Sequence, residues 1–203
     1  MARHQSKQKG TESEARRIAA LKRRTRNRIV LWVGVTVAVI GLATVFFATV
    51  EPPAQAAVVE GRASLGEPAP VIEMVDFDGE KVTLAQFVGT PIVLNFWSSW
   101  CPFCIAEMPD FERVSQAAGG RVEFIGVNLQ DDQGLANQLR KETGITYRVT
   151  RDPRGVVYDA FGGIGMPTTV FIDADGRVRE VVTGQMSEEQ LRAKIAEHFA
   201  IEV

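Results

Sequence analysis

The pattern of apolar positions separates an N-terminal stretch from the rest of the chain. Residues 29–50, IVLWVGVTVAVIGLATVFFATV, contain no charged side chain over 22 positions. At a rise of about 1.5 Å per residue they would form about 33 Å of helix, which is enough to cross the hydrocarbon core of a bilayer. The pattern therefore predicts a transmembrane helix over 29–50.

Beyond residue 66 the apolar positions follow the periods of strands and helices. Two runs, 91–97 and 122–128, are apolar on both faces, which is typical of central strands covered by helices on both sides. The pairs Asp78-Gly79 and Asp175-Gly176 favour hairpin turns. Further strands are predicted at 71–74, 81–83, 147–149, 168–173 and 178–183, and helices at 102–118, 135–143, 156–161 and 187–199. This order predicts an α/β fold with a central mixed β-sheet and helices on both faces.

The stretch between these two parts has a composition of its own. Residues 51–66, EPPAQAAVVEGRASLG, are rich in Ala, Gly and Pro and lack a sustained period, so they are interpreted as a flexible linker. The predicted organisation is a basic cytoplasmic tail at 1–28, a signal-anchor helix at 29–50, the linker at 51–66 and one folded domain at 67–203.

Charge orients the predicted span. The 203-residue chain has a net charge of −2, but residues 1–28 hold ten Lys or Arg against two Glu. The positive flank places the N-terminus in the cytoplasm and residues 51–203 outside it, at the cell membrane. Because the basic run adjoins the span, we expect no nucleic-acid partner. Ala54-Gln55-Ala56 also fits a cleavage site after Ala56, but the apolar stretch is longer than a usual signal-peptide core, which favours a retained anchor.

The candidate chemistry lies at Cys101 and Cys104, the two cysteines of the chain. They open a predicted helix, where free backbone N–H groups and the helix dipole stabilise a thiolate and lower the pKa of a thiol. Cys104 follows one helical turn later and can attack a mixed disulfide held at Cys101. We predict that Cys101 is the nucleophile, that Cys104 is the resolving thiol, and that no cofactor is needed beyond their redox-active disulfide.

Other uses of the pair are less favoured by the sequence. A structural disulfide closing so short a loop would remove little entropy from the unfolded chain. A zinc or copper site would need more ligands, and the histidines are only His4 and His198. A peroxide-reducing thiol usually has Thr three residues before the cysteine, where this chain has Ser98. A non-catalytic protein that binds copper or a thiol partner remains the rival from another class.

Four further motifs occur in a fixed order: GEPAP at 66–70, NFWSSWC at 95–101, CIAEMP at 104–109 and MPTTVFID at 166–173. With them, residues 67–203 resemble the TlpA-like branch of the thioredoxin superfamily, which includes the ResA and CcmG (DsbE) proteins of cytochrome c maturation. The resemblance implies a thioredoxin-like fold in which a cis-proline, here Pro167, lies against the disulfide. It also implies a set of substrate-binding residues: Trp100, Pro102, Phe103, Met166 and Pro167.

Two positions bear on the mechanism. Asn95 stands where ordinary thioredoxins carry a buried Asp, and Asn cannot accept a proton. Glu107 matches an acidic residue of ResA-like proteins, and it lies one turn past Cys104 on the same helix face. Partial burial would raise the pKa of Glu107 and allow it to exchange a proton with Cys104. We therefore include Glu107 among the catalytic candidates; the alternative is an exposed surface glutamate.

The resemblance implies a thiol–disulfide oxidoreductase that reduces the disulfides of exported proteins. Its implied partners are apocytochrome c and a membrane electron donor of the CcdA type. The dipeptide Pro102-Phe103 differs from those of the family's reductants, and this dipeptide influences the reduction potential. An oxidase that forms disulfides in secreted proteins therefore remains open.

Overall fold

The computed structural model describes residues 58–203, together with Trp32, Gly34, Thr36 and residues 40–42. The predicted tail 1–28 and most of the predicted span 29–50 lie outside these residues; those that are described within the span are helical. In the described part of the chain, no helix combines the length and the apolar character that crossing a bilayer requires. The chain divides into two units, 1–52 and 53–203, and the sheet and both cysteines belong to the second.

The second unit alternates strands and helices along the chain. Its strands are β1 (Val58–Glu60), β2 (Val71–Asp76), β3 (Lys81–Thr83), β4 (Ile92–Trp97), β5 (Glu123–Leu129), β6 (Arg148–Asp152), β7 (Thr168–Ile172) and β8 (Val178–Thr183). Its helices are α1 (Pro102–Ala118), α2 (Gln133–Thr143), α3 (Val156–Ala160) and α4 (Glu188–Phe199), with a 3₁₀ helix at Leu84–Phe87.

These strands form one mixed sheet with β4 at its centre. Strand β4 runs parallel to β5 and antiparallel to β7, and β5 runs parallel to β6. The β7–β8 hairpin extends one side, while β2, with β1 and β3 paired to it, extends the other. The predicted thioredoxin-like α/β fold, with a central mixed sheet and helices on both faces, is confirmed.

All six residues of β4 are buried. This burial explains why the strand is largely apolar on both faces. Alternate side chains point to opposite faces of a strand, so Val93 packs in a cluster with Phe111 of α1 and Leu191 of α4. Phe96 packs on the other face, in a cluster with Val157 of α3. Asn95 lies on the α1 face, and the strand therefore delivers a polar side chain to the region behind the disulfide.

The structure differs from the sequence interpretation at the start of the domain. The sequence predicts that residues 58–60 belong to the linker, but Val58 pairs with Glu73 in an antiparallel ladder. Farther along, the Ala63 N–H donates to the Ala160 carbonyl at 2.8 Å. Two successive valines have high strand propensity, and they add a strand beside β2. This shortens the linker, because the folded domain already includes Val58.

Candidate active site

Cys101 and Cys104 are joined in a disulfide at the start of α1. Their sulfur atoms are 2.08 Å apart and their Cα atoms are 5.3 Å apart. Cys101 is the N-cap of the helix, and its Sγ accepts a hydrogen bond of 3.2 Å from the Cys104 N–H. This donor is one of the N–H groups that a helix leaves unpaired at its start. A thiolate on Cys101 would therefore meet an N–H donor and the positive end of the helix dipole.

The two sulfurs differ in their access to solvent. Cys101 is 4% exposed, whereas Cys104 is completely buried. An incoming sulfur atom can approach only the accessible member of a disulfide. The structure therefore assigns the outer position to Cys101 and the inner position to Cys104, as their predicted roles require.

Asp131 lies in the loop between β5 and α2, and it holds the loop that precedes Cys101. The carboxylate of Asp131 accepts hydrogen bonds from the Ser99 N–H at 2.6 Å and from the Ser99 hydroxyl at 2.7 Å. The Asn128 amide donates to the same carboxylate at 2.8 Å. Nearby, the Ser98 hydroxyl donates to the Leu129 carbonyl at 2.6 Å. These bonds hold the turn that places Cys101 at the helix start.

Glu107 is buried behind the disulfide and is held at both oxygens. Its residue surface is 1% exposed. The Asn95 amide donates to Oε1 at 2.9 Å, and the Met186 N–H donates to Oε2 at 3.0 Å. The same Asn95 amide also donates to the Thr169 hydroxyl at 3.1 Å. Glu107 is therefore an interior carboxyl group in a defined orientation rather than an exposed surface glutamate.

Burial sets the protonation behaviour of Glu107. Loss of hydration disfavours the charged carboxylate and raises its pKa to about 7, from a usual value of 4.5. The hydrogen bonds from Met186 and Asn95 stabilise the charged form and offset part of this rise, while the charge of Asp110 adds to it. A carboxyl group that titrates near neutral pH can both accept and return a proton under physiological conditions.

The segment before β7 lies beside the disulfide. The Met166–Pro167 peptide bond is cis, as the resemblance implied, and Pro167 is buried. The half-buried side chain of Met166 packs against the cluster that contains Trp97, Cys101 and Cys104. The structure thus brings Met166 together with both cysteines, although these residues are distant in the sequence.

The remaining predicted substrate-binding residues lie on the surface. Trp100 is 59% exposed and Phe103 is 63% exposed, and Pro102 is exposed as well. Large apolar side chains that flank a reactive group without being buried often mark a site of protein contact. The surface around Cys101 is therefore apolar, whereas the region behind Cys104 is polar.

Sequence reasoning missed three residues that shape the site: Asp131, Thr169 and Met186. Asp131 follows β5, which is parallel to β4, and neighbouring parallel strands bring their carboxyl ends to the same edge of the sheet. The position of Asp131 directly after β5 could therefore have identified it as a neighbour of the site. Thr169 faces Asn95 across an antiparallel pair, which requires knowledge of the register. Met186 contributes only a backbone N–H, which carries no sequence signal.

Within the described residues, one cluster has the composition of a metal site. The ligand atoms of Glu180, Glu197 and His198 lie within 4.8 Å of one another. The Lys194 ammonium group already occupies this cluster, with ion pairs of 2.8 Å to Glu180 and 3.3 Å to Glu197. The cluster belongs to β8 and α4, and it contains neither cysteine.

Comparisons with known proteins agree with this geometry. The model of a family described as Redoxin matches residues 64–197. Thiol-disulfide oxidoreductase ResA of Bacillus subtilis (strain 168) is 31% identical over 138 residues, which cover 66% of this chain and 77% of that protein.

Two solved structures resemble the chain at comparable identity. A thiol:disulfide interchange protein of the thioredoxin family from Chlorobium tepidum TLS has a TM-score of 0.59 and 30% identity, covering 68% of this chain and 97% of that one. A secreted disulfide oxidoreductase of Mycobacterium tuberculosis, homologous to E. coli DsbE, has a TM-score of 0.57 and 30% identity, covering 62% and 94%.

The matched region contains the Cys101–Cys104 disulfide at a helix start, the buried Glu107 and the cis bond before Pro167. The chain belongs to the Redoxin family within the thioredoxin superfamily, and it is a protein thiol–disulfide oxidoreductase.

Proposed function

We propose that this oxidoreductase works as a reductase of exported proteins and is tethered to the membrane by residues 29–50. The observation that carries the exchange chemistry is the disulfide itself, with Cys101 slightly exposed (4%), Cys104 completely buried and an interior carboxyl group one turn away. The uncharged stretch at 29–50 and the basic run before it support the tether.

The proposed cycle starts from the reduced pair. The Cys101 thiolate attacks one sulfur of a substrate disulfide, forms a mixed disulfide and releases the first substrate sulfur as a thiolate. Cys104 then loses its proton and attacks Cys101 Sγ. The Cys101–Cys104 disulfide forms, the second substrate sulfur leaves as a thiolate, and two electrons have passed from the enzyme to the substrate.

Glu107 supplies the base for the second step. Its ionised carboxylate accepts the proton that the Cys104 thiol loses, and the neutral acid later returns a proton when the pair is reduced again. Because the pKa of Glu107 lies at about 7, its carboxylate and its neutral acid are both populated near neutral pH. In the reverse direction the same carboxyl group would act as the acid, so its position serves exchange in either direction.

The direction and the partners are proposed from the resemblance to the ResA and CcmG proteins. The substrate class is an exported protein with a disulfide between nearby cysteines, of which apocytochrome c is the implied example. The electron donor is a membrane protein of the CcdA type. The exposed Trp100 and Phe103 provide an apolar surface on which an unfolded or extended substrate segment can pack.

Substrate capture tests this proposal. The full chain with Cys104→Ala, expressed in its membrane, cannot complete the second step and should accumulate mixed disulfides at Cys101. Cys101→Ala, which lacks the attacking sulfur, is the matched control and should capture nothing. We expect apocytochromes among the captured proteins. Capture of secreted proteins that carry several cysteines, without apocytochromes, would contradict the proposed substrate class.

The reduction potential tests the direction of electron flow. Pairs in this fold range from roughly −270 to −120 mV, and a reductase should lie near the reducing end. Equilibration of the full chain with glutathione mixtures measures this value. A potential near the oxidising end would instead assign the protein to disulfide formation in secreted proteins, while the exchange chemistry would stand.

A further inference from the structure

Two buried donors behind the disulfide have no hydrogen-bond partner among the described residues. They are the indole N–H of Trp97 and the hydroxyl group of Tyr147. Leaving a buried donor unpaired costs about 1–3 kcal/mol. When such groups persist in a native interior, an ordered water molecule or a functional role usually accounts for them.

The rings that carry the two donors lie side by side on the α1 face of the sheet. A Cβ atom placed on Gly126 would lie 2.9 Å from Trp97 Nε1 and 3.2 Å from Tyr147 Cε2. Glycine at this position of β5 therefore makes room for both rings. Gly126 is also the direct neighbour of Asn95 in the parallel ladder, and Asn95 donates to Glu107. The unpaired donors and the Glu107 carboxyl group thus share one face of adjacent strands.

Tyr147 crosses from the surface to this interior region. Its side chain lines a surface cavity of about 450 Å³ together with Arg140, Thr146 and Val149. Its ring packs against Phe124, with ring centres 6.4 Å apart, while its hydroxyl oxygen is buried. The hydroxyl group is therefore at the buried end of the ring.

Electrostatics agrees with this placement. Burial raises the pKa of Tyr147 above its usual value, and the nearby carboxylates of Glu107 and Glu112 on α1 raise it further. The hydroxyl group therefore remains protonated and available as a donor. Glu107 itself faces Asp110 and Tyr147 as charged or titratable neighbours, and Cys104 lies one turn earlier on α1.

We propose that the Trp97 N–H and the Tyr147 hydroxyl hold one internal water molecule that hydrogen bonds to the Glu107 carboxyl group. The water accepts from the indole N–H and the phenol O–H, and it donates to the carboxylate. Three polar partners are what a buried water usually has. Tyr147 is then a positioning residue for Glu107. This inference rests on the proposed role of Glu107 in disulfide exchange.

The water gives Glu107 a third donor, beyond Asn95 and the Met186 N–H. Donation to the carboxylate stabilises its charged form and keeps its pKa from rising further. When Glu107 accepts the proton of Cys104, the water can reorient to accept a hydrogen bond from the neutral acid. The Tyr147 hydroxyl group rotates as the water reorients. It keeps its own proton, and no proton is transferred to Tyr147.

Replacement of the hydroxyl group tests the inference. In the oxidised full chain carrying Tyr147→Phe, we expect the pKa of Glu107, measured from its carboxyl carbon by NMR, to rise by about half a unit or more. Tyr158→Phe is the matched control, because the Tyr158 hydroxyl donates to the Gly165 carbonyl at 2.9 Å instead. It should leave the Glu107 titration unchanged. An unchanged or lowered pKa in Tyr147→Phe would overturn the inference.

A crystal structure of the oxidised wild-type protein provides a measurement that does not depend on a variant. A water molecule within hydrogen-bond distance of both the Tyr147 hydroxyl group and a Glu107 oxygen would support the proposal, and a site without water would refute it. Both results are independent of exchange activity. An inactive wild-type protein would refute the proposed function, whereas an active one with a dry site would refute only this inference.

Discussion

The side-chain amide of Asn95 donates a hydrogen bond of 2.9 Å to Oε1 of Glu107, and so a residue of the central strand orients the carboxyl group behind the disulfide. Asn95 thus stands where ordinary thioredoxins have their own carboxylic acid, and here the acid comes from the helix instead. The strand supplies a donor that stabilises the ionised form of that acid. Asn95 and Glu107 therefore set the orientation and the charge state of this carboxyl group together.

Replacement of Asn95 should therefore raise the pKa of Glu107. In Asn95→Leu the carboxylate loses one of its donors without a large change in side-chain volume, and we expect the pKa to move further above about 7. NMR titration of the carboxyl carbon measures this change. Thr169→Val is the control, because Thr169 accepts from the same amide at 3.1 Å but does not bond to Glu107. Equal pKa values of Glu107 in Asn95→Leu and Thr169→Val would contradict the prediction.

The stability of the oxidised protein should depend on pH through Glu107. The pKa of Glu107 is raised in the folded state, so the folded protein holds this proton more tightly than the unfolded chain. The stabilisation is fully present below pH 4.5, the usual value, and it is lost as the pH rises through about 7. The loss is on the order of 3 kcal/mol, from a shift of the pKa from 4.5 to about 7.

Urea denaturation over a pH series measures this effect. Between pH 5 and pH 9, the wild-type protein should lose more unfolding free energy than Glu107→Gln, which cannot ionise at this position. The two curves should separate mainly around neutral pH. Parallel curves would show that Glu107 titrates near its ordinary value in the folded protein.

Asp131 should be needed for a well-ordered loop before Cys101. In Asp131→Asn an NH₂ group would replace an oxygen that accepts from Ser99 or Asn128, so that two donors would face each other. We expect a loss of about 1–3 kcal/mol in unfolding free energy, together with slower exchange. Chemical denaturation and insulin reduction measure the two effects.

The neighbouring residue offers a matched control. Asp132 caps α2 by accepting from the Leu135 N–H at 2.9 Å, and Asn is about as good an N-cap as Asp. Asp132→Asn should therefore remain close to the wild-type protein in both assays. If both variants lose the same unfolding free energy, the loss comes from the removed charge and not from the bonds to Ser99.

Trp100 and Phe103 should contribute to substrate binding but not to stability. Both are more than half exposed, so the double variant Trp100→Ser, Phe103→Ser should unfold within about 0.5 kcal/mol of the wild-type protein. Its KM for a protein disulfide should rise about tenfold, since aromatic side chains often dominate protein contacts. Reduction of a small aromatic disulfide reagent should change much less.

Val88→Ser controls for the loss of exposed apolar surface. Val88 is 74% exposed and precedes the start of β4, whereas the disulfide follows its end. This variant should leave the KM for protein disulfides unchanged. A KM that rises equally for the protein and the small reagent in the double variant would indicate a distorted disulfide rather than a lost contact surface.

The sequence predicted the parts of the site that local pattern determines. The helix beginning at Pro102, the buried run of β4 and the β7–β8 hairpin all depend on periodicity and turn residues within one segment. The position of Glu107 one turn after Cys104 follows from helix geometry as well. Its depth does not, because burial depends on what packs against the helix.

Contacts between distant segments could not be predicted in this way. Asp131 is 32 positions from Ser99 and Met186 is 79 positions from Glu107, and neither pairing follows from spacing. The Tyr147 hydroxyl group, which has no hydrogen-bond partner among the described residues, also becomes visible only when three strands are in register. The strand β1 was missed because three residues are too few for a periodic signal, and only its partner β2 makes it regular.

The complete burial of Cys104 has a kinetic consequence. Both the substrate and the electron donor must form their mixed disulfide with the same sulfur, that of Cys101, and so the two partners exclude each other. Turnover must alternate between them, with no ternary complex at any stage. Steady-state rates should accordingly give parallel double-reciprocal lines, and a high concentration of either partner should inhibit the reaction of the other.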